Sequence, residues 1–275
     1  MRGPERGLGS AQLFMSRTPA VEDVDSQRTG PNKSPLSEAR LTVIPKGKSW
    51  LDAMQGYDET LRSIIAEYPQ ADLLELGGGR WPSFRMSELP SNLRSYTVND
   101  ISEDELSLVP LEYNKACFDV SGDASAFEGR YDVVFSRFLA EHVPNGYAMH
   151  RNIHQVLKPG GTAFHLIPTL YAFPFVINRL LPERAGQAVL KAFSPRREIS
   201  PKFPAYYSQC YGDTARMRQM FEEIGYDHVE IRNFYGHFYY ERIPGLRELE
   251  NWFSGLAGRS GWSWCSSYAY LIARK

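Results

Sequence analysis

The stretch ADLLELGGGRWPS, residues 71–83, decides the fold of this chain. Its first part, Ala71–Leu76, is a short and nearly continuous apolar run, which is typical of a parallel strand that is covered on both faces. Three glycines follow at once, and glycine permits positive φ angles and has no Cβ to block a ligand. Because open parallel sheets bind ligands beyond the carboxyl ends of their strands, the loop after this strand is the expected ligand cradle.

Strands and helices alternate on both sides of this stretch. Apolar residues follow a helical period over 49–68, and a helix is expected at 82–90, because proline is well placed in a first helical turn. Further strands are predicted at 94–100, 116–120, 130–136, 162–168, 228–234 and 267–273. Further helices are predicted at 101–108, 147–157 and 214–224 and within 242–256. This alternation indicates a doubly wound α/β domain with a parallel sheet.

The composition of the 275 residues excludes several classes of protein. Apolar content of 43 %, charged content of 23 % and a formal net charge of −1 indicate an ordinary soluble protein without the basic surface of a nucleic-acid binder. The longest apolar run, 171–177, is far shorter than the roughly 20 residues of a membrane span. Three scattered cysteines form neither a disulfide framework nor a metal-binding spacing, and His150 and His154 are interpreted as helix residues. We therefore expect a cytoplasmic protein that binds no metal.

Two segments depart from the alternation. Residues 1–48 are rich in Gly, Ser, Pro and Arg and are interpreted as a disordered tail, with a transit peptide or a start at Met15 as alternatives. Residues 49–275 are then one catalytic or binding domain. Within it, 169–212 interrupts the α/β pattern, and long insertions of this kind are usually functional lids. We expect this segment to bind a substrate, in addition to the ligand that the glycine loop binds.

The residues around the glycine loop indicate which ligand the loop binds. The dinucleotide pattern G-x-G-x-x-G fits poorly, since its third glycine falls on Pro82. Glu75 would repel a pyrophosphate but would attract an amine. Asp100 ends the next strand, where a carboxylate accepts hydrogen bonds from ribose hydroxyls. S-adenosylmethionine carries an amine, a carboxylate and a ribose and fits this arrangement.

The chain resembles class I S-adenosylmethionine-dependent methyltransferases of the small-molecule type. Five motifs carry the resemblance in the family's order: ELGGG (75–79), VNDIS (98–102), RYDVVFS (130–136), AEHV (140–143) and LKPGG (157–161). The match is good over 49–168 and looser over the last two strands. It implies a Rossmann-like, mostly parallel seven-stranded sheet with an antiparallel last strand and a helical lid insertion after the fifth strand. It also implies S-adenosylmethionine as the cofactor.

The resemblance further assigns residues to the cofactor. These are Glu75, Gly77, Gly78, Gly79, Asp100, Ile101, Asp119, Asp123, Ser136 and Arg137. Glu75 and the glycines would hold the methionine part and Asp100 the ribose, while Asp119 and Asp123 both qualify for the adenine amino group. Asp100 and Asp123 also suit a purely structural role as helix caps. Trp81 departs from the family, which often has glycine there, and a side chain of this size would either narrow the cofactor loop or pack on it.

Methyl transfer needs a general base only where the acceptor must lose a proton. Glu141 and His142 follow the fourth strand and are the candidates, although His142 would equally suit packing or capping at the cofactor pocket. The candidate acceptor-binding residues are Tyr171, Tyr206, Tyr207, His237 and Tyr240. Aromatic walls with polar tips favour a small apolar or aromatic acceptor that is methylated at oxygen, carbon or nitrogen.

Three alternatives remain at this point. The first alternative is a nicotinamide-dependent (NAD(P)) oxidoreductase on a similar sheet. The second is a non-catalytic relative that kept the fold, and the third is a methyltransferase whose insertion contacts a membrane surface to reach a lipid. Asp100 and the intact glycine loop argue against the non-catalytic relative. The oligomeric state is left open.

Overall fold

The computed structural model describes residues 44, 45, 47–170, 204–237 and 245–275. Most of the expected tail, 1–48, and residues 171–203 of the expected lid lie outside these ranges, as do Tyr171 and Tyr240. In the described ranges, no helix has both the length and the apolar character that crossing a membrane requires.

The described residues form one seven-stranded sheet. The strands are β1 (Ala71–Leu76), β2 (Leu93–Asp100), β3 (Asn114–Cys117), β4 (Tyr131–Arg137), β5 (Leu157–Pro168), β6 (His228–Phe234) and β7 (Tyr268–Arg274). Their order is β3-β2-β1-β4-β5-β7-β6. Strand β7 lies antiparallel between β5 and β6, and β1 to β5 pair in parallel. The winding reverses between β1 and β4, and the predicted fold class is confirmed.

Helices cover both faces of the sheet. In the described ranges they are α1 (Trp50–Ile65), α2 (Glu103–Ser107), α3 (Gly146–Val156), α4 (Ala215–Ile224) and α5 (Leu246–Ser260). On one face, the ring of Tyr57 in α1 stacks on Phe164 in β5 with centroids 4.9 Å apart. On the other face, His150 in α3 meets His165, the next residue of β5, at 5.8 Å. Neighbouring residues of a strand point to opposite faces of the sheet. The contacts of Phe164 and His165 therefore place α1 on one face and α3 on the other.

Helix α1 begins where the sequence indicates a start. The Ser49 hydroxyl accepts a hydrogen bond from the Asp52 backbone N–H at 3.2 Å, and the Asp52 carboxylate accepts one from the Ser49 N–H at 2.8 Å. This capping box satisfies two backbone donors of the first turn. The helix then buries an apolar stripe against the sheet, formed by Ala53, Tyr57, Leu61, Ile64 and Ile65.

Three local predictions are wrong. The described residues 77–92 contain no α-helix, only a 3₁₀ turn, Met86–Glu88, because the Ser83 N–H points inward to Glu75 instead of starting a helix. Strand β3 occupies Asn114–Cys117 and not 116–120. Residues 158–161 lie within β5 as a bulge instead of preceding it, since Tyr131 pairs with Leu157 and Val133 with Thr162.

The amino ends of four strands carry a network of charges. Lys158 donates from Nζ to both Asp72 and Asp132 at 2.6 Å, and Arg94 donates from Nε to Asp72 at 2.9 Å. Each of these residues is the second of its strand. The network therefore joins β1, β2, β4 and β5 at the edge opposite the glycine loop.

Candidate functional site

The glycine loop follows β1 at the carboxyl edge of the sheet, where the strand order reverses. Gly77 and Gly79 have φ angles of 69° and 50°. A Cβ on Gly78 would come within 2.7 Å of Val98 Cγ1, and one on Gly79 within 3.2 Å of Asp100 Oδ2. The loop thus lies close against the end of β2, and only glycine fits at these positions without displacing a neighbour.

Glu75 anchors this loop from inside the protein. Glu75 is only 5 % exposed, and its carboxylate accepts hydrogen bonds from the Ser83 N–H at 3.0 Å, from the Ser83 hydroxyl and from the Tyr96 hydroxyl. Burial raises the pKa of Glu75, and the bonds from Ser83 and Tyr96 act in the opposite direction. Sequence reasoning missed both partners, and the contact between Glu75 and the cofactor amine stays a prediction.

Asp100 ends β2 beside the glycine loop. Its Oδ1 accepts a hydrogen bond from the Ser102 N–H at 2.9 Å, and its Oδ2 is the atom that a Cβ on Gly79 would meet. The N-cap of α2 is Ser102, whose hydroxyl accepts from the Glu105 N–H at 3.2 Å. The alternative role of Asp100 as the helix cap is therefore wrong. Ile101 is 70 % exposed next to it.

The two acidic candidates for the adenine lie in similar turns. Asp119 accepts hydrogen bonds from the N–H and the hydroxyl of Ser121, both at 2.8 Å, and Asp123 accepts one from the Ser125 N–H at 2.9 Å. The Ser125 N–H lowers the pKa of Asp123. Both side chains are exposed, and the adenine contact stays a prediction for each.

Ser136 and Arg137 end β4 and face different surroundings. The Ser136 side chain is buried, and its hydroxyl lies 2.8 Å from His165 Nδ1, so it is part of the core. Arg137 is exposed at the edge, with its guanidinium carbon 5.3 Å from the centre of the Tyr57 ring and 5.7 Å from that of Phe138. Arg137 therefore lies exposed at the carboxyl edge of the sheet, whereas the Ser136 hydroxyl lies in the core, and a cofactor contact stays a prediction for both.

The turn after β4 carries a buried acid. Glu141 lies in a 3₁₀ turn, Ala140–His142, that follows Phe138, a non-glycine residue with φ 57°. Burial raises the pKa of the Glu141 carboxyl to about 7, and its buried Oε2 has no hydrogen-bond partner in the described ranges. Backbone conformations and buried groups of this kind concentrate at functional sites.

The same turn binds the part of the insertion that the structure describes after residue 203. The Glu141 carbonyl accepts hydrogen bonds from the N–H groups of Tyr206 at 2.7 Å and Tyr207 at 3.1 Å. His142 Nδ1 lies 2.8 Å from the Pro204 carbonyl oxygen, and its Nε2 is 3.8 Å from Glu141 Oε1. Tyr206 is 44 % exposed and Tyr207 is buried with φ 51°. His142 therefore has at least an anchoring role.

His237 follows β6 at the same edge of the sheet and lines a cavity. The cavity measures about 330 Å³ and is lined by Trp50, His237, Arg247, Glu250 and Asn251. The His237 N–H donates to Glu250 Oε1 at 3.2 Å, and burial lowers the pKa of the His237 imidazole to about 4. Trp50 lies one helical turn from Met54, whose sulfur is 3.9 Å from an Arg137 nitrogen. Sequence reasoning missed Trp50 and Glu250, which are brought here only by the fold.

A family model described as a methyltransferase domain matches residues 26–255, well over half of the chain. The chain belongs to this methyltransferase family. Its fold is similar to that of a SAM-dependent methyltransferase from Archaeoglobus fulgidus, with a TM-score of 0.50 and 12 % identity over 82 % of this chain and 94 % of that one. The predicted class I S-adenosylmethionine-dependent methyltransferase, with its cofactor, is confirmed.

Two curated relatives match shorter segments. A highly reducing polyketide synthase, ctvA, of Aspergillus terreus is 28 % identical over 122 residues, 40 % of this chain and 5 % of that protein. The polyketide synthase–nonribosomal peptide synthetase pyiS of Pyricularia grisea is 31 % identical over 125 residues, 39 % of this chain and 3 % of that protein. The chain thus spans only a small part of either relative.

The residues at the carboxyl edge fit S-adenosylmethionine. The glycine loop offers bare main chain, and Asp100 has one oxygen fixed by Ser102 and the other on the side of Gly79. Trp81 is 82 % exposed, so its ring is not packed into the protein beside the loop.

Proposed function

We propose that this methyltransferase acts on a small apolar or aromatic acceptor that must lose a proton, with Glu141 as the general base. The observation that carries the proposal is the buried Glu141 carboxyl on the turn directly after β4, with its pKa raised to about 7 by burial. A base whose pKa lies near the working pH is the most effective in proton transfer.

The bound cofactor supplies a methyl group on a positively charged sulfur. The chain then has to align the acceptor atom and exclude water from it. The turn that carries Glu141 also fixes Tyr206 and Tyr207 through its carbonyl. We therefore assign Tyr206 and Tyr207 to the acceptor side and Glu141 to the removal of a proton from oxygen or carbon. A nitrogen acceptor that is already neutral would need no such base.

Two further observations support a small acceptor. The cavity beside His237 has a volume that suits a small molecule or part of one, and Trp50 is the aromatic residue in a lining that is otherwise polar. The curated relatives are synthases of polyketides and peptides, which are small-molecule products.

The cofactor is tested first, by calorimetry with S-adenosylmethionine, S-adenosylhomocysteine and NADH. We expect the first two ligands to bind and NADH not to bind. Binding of NADH alone would contradict the assignment and favour the oxidoreductase.

The base is tested with labelled S-adenosylmethionine and a panel of phenols, enolisable ketones and amines. On acceptors that lose a proton, we expect the rate to rise with pH through about 7, as Glu141 becomes a carboxylate. Glu141→Gln should lower kcat by about 10²–10⁴-fold and leave the affinity for S-adenosylhomocysteine unchanged. Glu112→Gln, at an exposed position on the loop after α2, is the matched control. Transfer to amines alone, or full activity of Glu141→Gln, would contradict the proposal.

A further inference from the structure

A second cavity adjoins the cavity beside His237. It measures about 600 Å³ and lies between the first turn of α1, the residues that follow β6 and one side of α5. Trp50 and Asn251 line both cavities, whereas Lys48 and Arg259 line the second. We call the first the His237 cavity and the second the Arg259 cavity. The two cavities share a wall at Trp50 and Asn251.

Helix α5 leaves room for the Arg259 cavity because small residues face it. Ser254, Gly255 and Gly258 are part of its lining. A Cβ on Gly258 would come within 3.3 Å of Tyr235 Cδ2, so the helix lies close against the segment after β6 at that point. In the described ranges, the atom that a Cβ on Gly255 would meet within 4 Å is Arg259 Nη1, at 3.8 Å. The end of the Arg259 side chain therefore borders the space over Gly255.

Two positively charged side chains line the Arg259 cavity. In the part of the chain that the structure describes, no carboxylate oxygen lies within 4.0 Å of a nitrogen of Arg259 or Lys48. The Lys48 ammonium donates to the Gly258 carbonyl at 3.0 Å, which uses one of its three N–H groups. Asp52 also lines the cavity, but its carboxylate already accepts hydrogen bonds from the Ser49 N–H at 2.8 Å and from the Ser49 hydroxyl at 2.5 Å.

The charges of the His237 cavity are balanced by comparison. Its Arg247 pairs with Glu248, and its Glu250 accepts a hydrogen bond from the His237 N–H at 3.2 Å. Burial lowers the pKa of the His237 imidazole to about 4, so this ring is neutral at pH 7. An anionic group is therefore attracted to the Arg259 cavity and not to the His237 cavity.

We propose that the Arg259 cavity binds a carboxylate or phosphate group of the acceptor, through the Arg259 guanidinium and the Lys48 ammonium. The proposal rests on the proposed function and deepens it, since it makes the acceptor an acid with an apolar or aromatic body. That body would lie against Trp50, one helical turn from Met54, whose sulfur is 3.9 Å from an Arg137 nitrogen. A planar guanidinium matches either anion through two parallel N–H···O bonds. A separate small acid that is not methylated offers the same chemistry, and the experiment separates the two sources.

The test uses phenols that carry a carboxylate on alkyl chains of different length, each beside its uncharged methyl ester. Calorimetry on the full chain loaded with S-adenosylhomocysteine measures binding, and labelled S-adenosylmethionine measures transfer. The wild type should bind at least one of the acids about tenfold or more tightly than its ester. Arg259→Met should remove this difference, raise KM for the acid by about tenfold or more and leave kcat within about twofold.

Gly255→Leu is the second variant, because its side chain would occupy the cavity. Leucine forms helices more readily than glycine, so the variant should fold. It should weaken the binding of the acid by about tenfold or more and leave that of S-adenosylhomocysteine unchanged. Gly255→Ala adds a side chain too small to fill the cavity and is its control. Arg151→Met removes an exposed positive charge from α3, is the control for Arg259→Met and should leave all affinities unchanged.

Three results would overturn the proposal. Equal affinity of acids and esters for the wild type, or binding of no acid, would show that the cavity attracts no anion. Acid binding that survives in both Arg259→Met and Gly255→Leu would place the anion elsewhere. An acid that binds through Arg259, is not methylated and does not compete with neutral phenols would be a separate ligand and not the acceptor.

The proposed function fails in a different way. If Glu141→Gln keeps full activity on the acids while Arg259→Met still raises their KM, the assignment of the base is wrong and the anion site stands.

Discussion

The backbone N–H and the hydroxyl of Ser83 both donate to the carboxylate of Glu75. This contact turns the chain inward after the glycine loop and takes the place of a helix start. Glu75 has therefore a structural role in addition to any contact with the cofactor. The conformation of the glycine loop depends on a residue eight positions away that carries no motif of its own.

Ser83→Ala should lower the free energy of unfolding by about 1–3 kcal/mol, because it removes a donor from a buried carboxylate. Urea unfolding at pH 7 measures the loss. Ser91→Ala, at an exposed serine, is the control and should change little. Equal stability of the two variants would show that the contact with Glu75 is not needed to hold the loop.

Asp100→Ala should weaken the binding of S-adenosylhomocysteine by about tenfold or more, because a hydrogen bond to a charged acceptor is lost. Calorimetry measures the affinity, and Asp104→Ala in the exposed first turn of α2 is the control. An Asp100→Ala protein that binds as tightly as the wild type would remove Asp100 from the ribose site.

The strands and the cofactor edge are predictable from the sequence because they depend on local patterns. Buried strands such as β1 are apolar runs, and the glycines mark the turn that follows. The predicted range of β3, 116–120, is wrong because this strand lies at the edge of the sheet. Ala116 is its single buried residue, so no apolar period marks the strand in the sequence. An exposed edge strand is defined by its pairing with β2, which the sequence does not display.

The missed parts of the site depend on contacts between distant residues. Tyr96 and Ser83 reach Glu75 across separations of 21 and 8 residues. Trp50 and Glu250 meet His237 only after α1 and α5 are packed at one edge. The partners of a buried polar group are set by tertiary structure, so a motif predicts the acid and not the groups that bind it.

Glu141 should make stability fall as the pH rises. Burial raises the pKa of its carboxyl from 4.5 to about 7, so the folded state binds the proton more tightly than the unfolded state does. The protonated Glu141 carboxyl therefore contributes its full stabilisation of the folded state below about pH 4.5, and this stabilisation is lost as the pH approaches and passes 7. Between pH 5 and pH 8 the wild type should lose up to about 3 kcal/mol more than Glu141→Gln, measured by urea unfolding. The control Glu112→Gln should follow the wild type, and identical slopes for all three proteins would show that the carboxyl is solvated.

Lys158→Met should destabilise the sheet at the edge opposite the site, because Lys158 bridges Asp72 and Asp132. Without the Lys158 ammonium, the carboxylates of Asp72 and Asp132 repel each other, and Arg94 is the positively charged partner that remains beside them. We expect a loss of about 1–3 kcal/mol at pH 7, below that of a fully buried ion pair since the network is partly exposed. Urea unfolding measures it, with Arg151→Met as the control for removing one exposed positive charge.

The loss in Lys158→Met should also depend on pH. Arg94, and then Lys158, hold the pKa of Asp72 well below its usual range, so this carboxylate stabilises the fold above its unfolded pKa of about 4 and loses that effect as the pH falls. The difference between Lys158→Met and the wild type should therefore be constant from pH 8 to pH 5 and should shrink in more acidic solution. A difference that does not change down to pH 3 would mean that the lysine stem, through its packing, stabilises the sheet and the ion pairs do not.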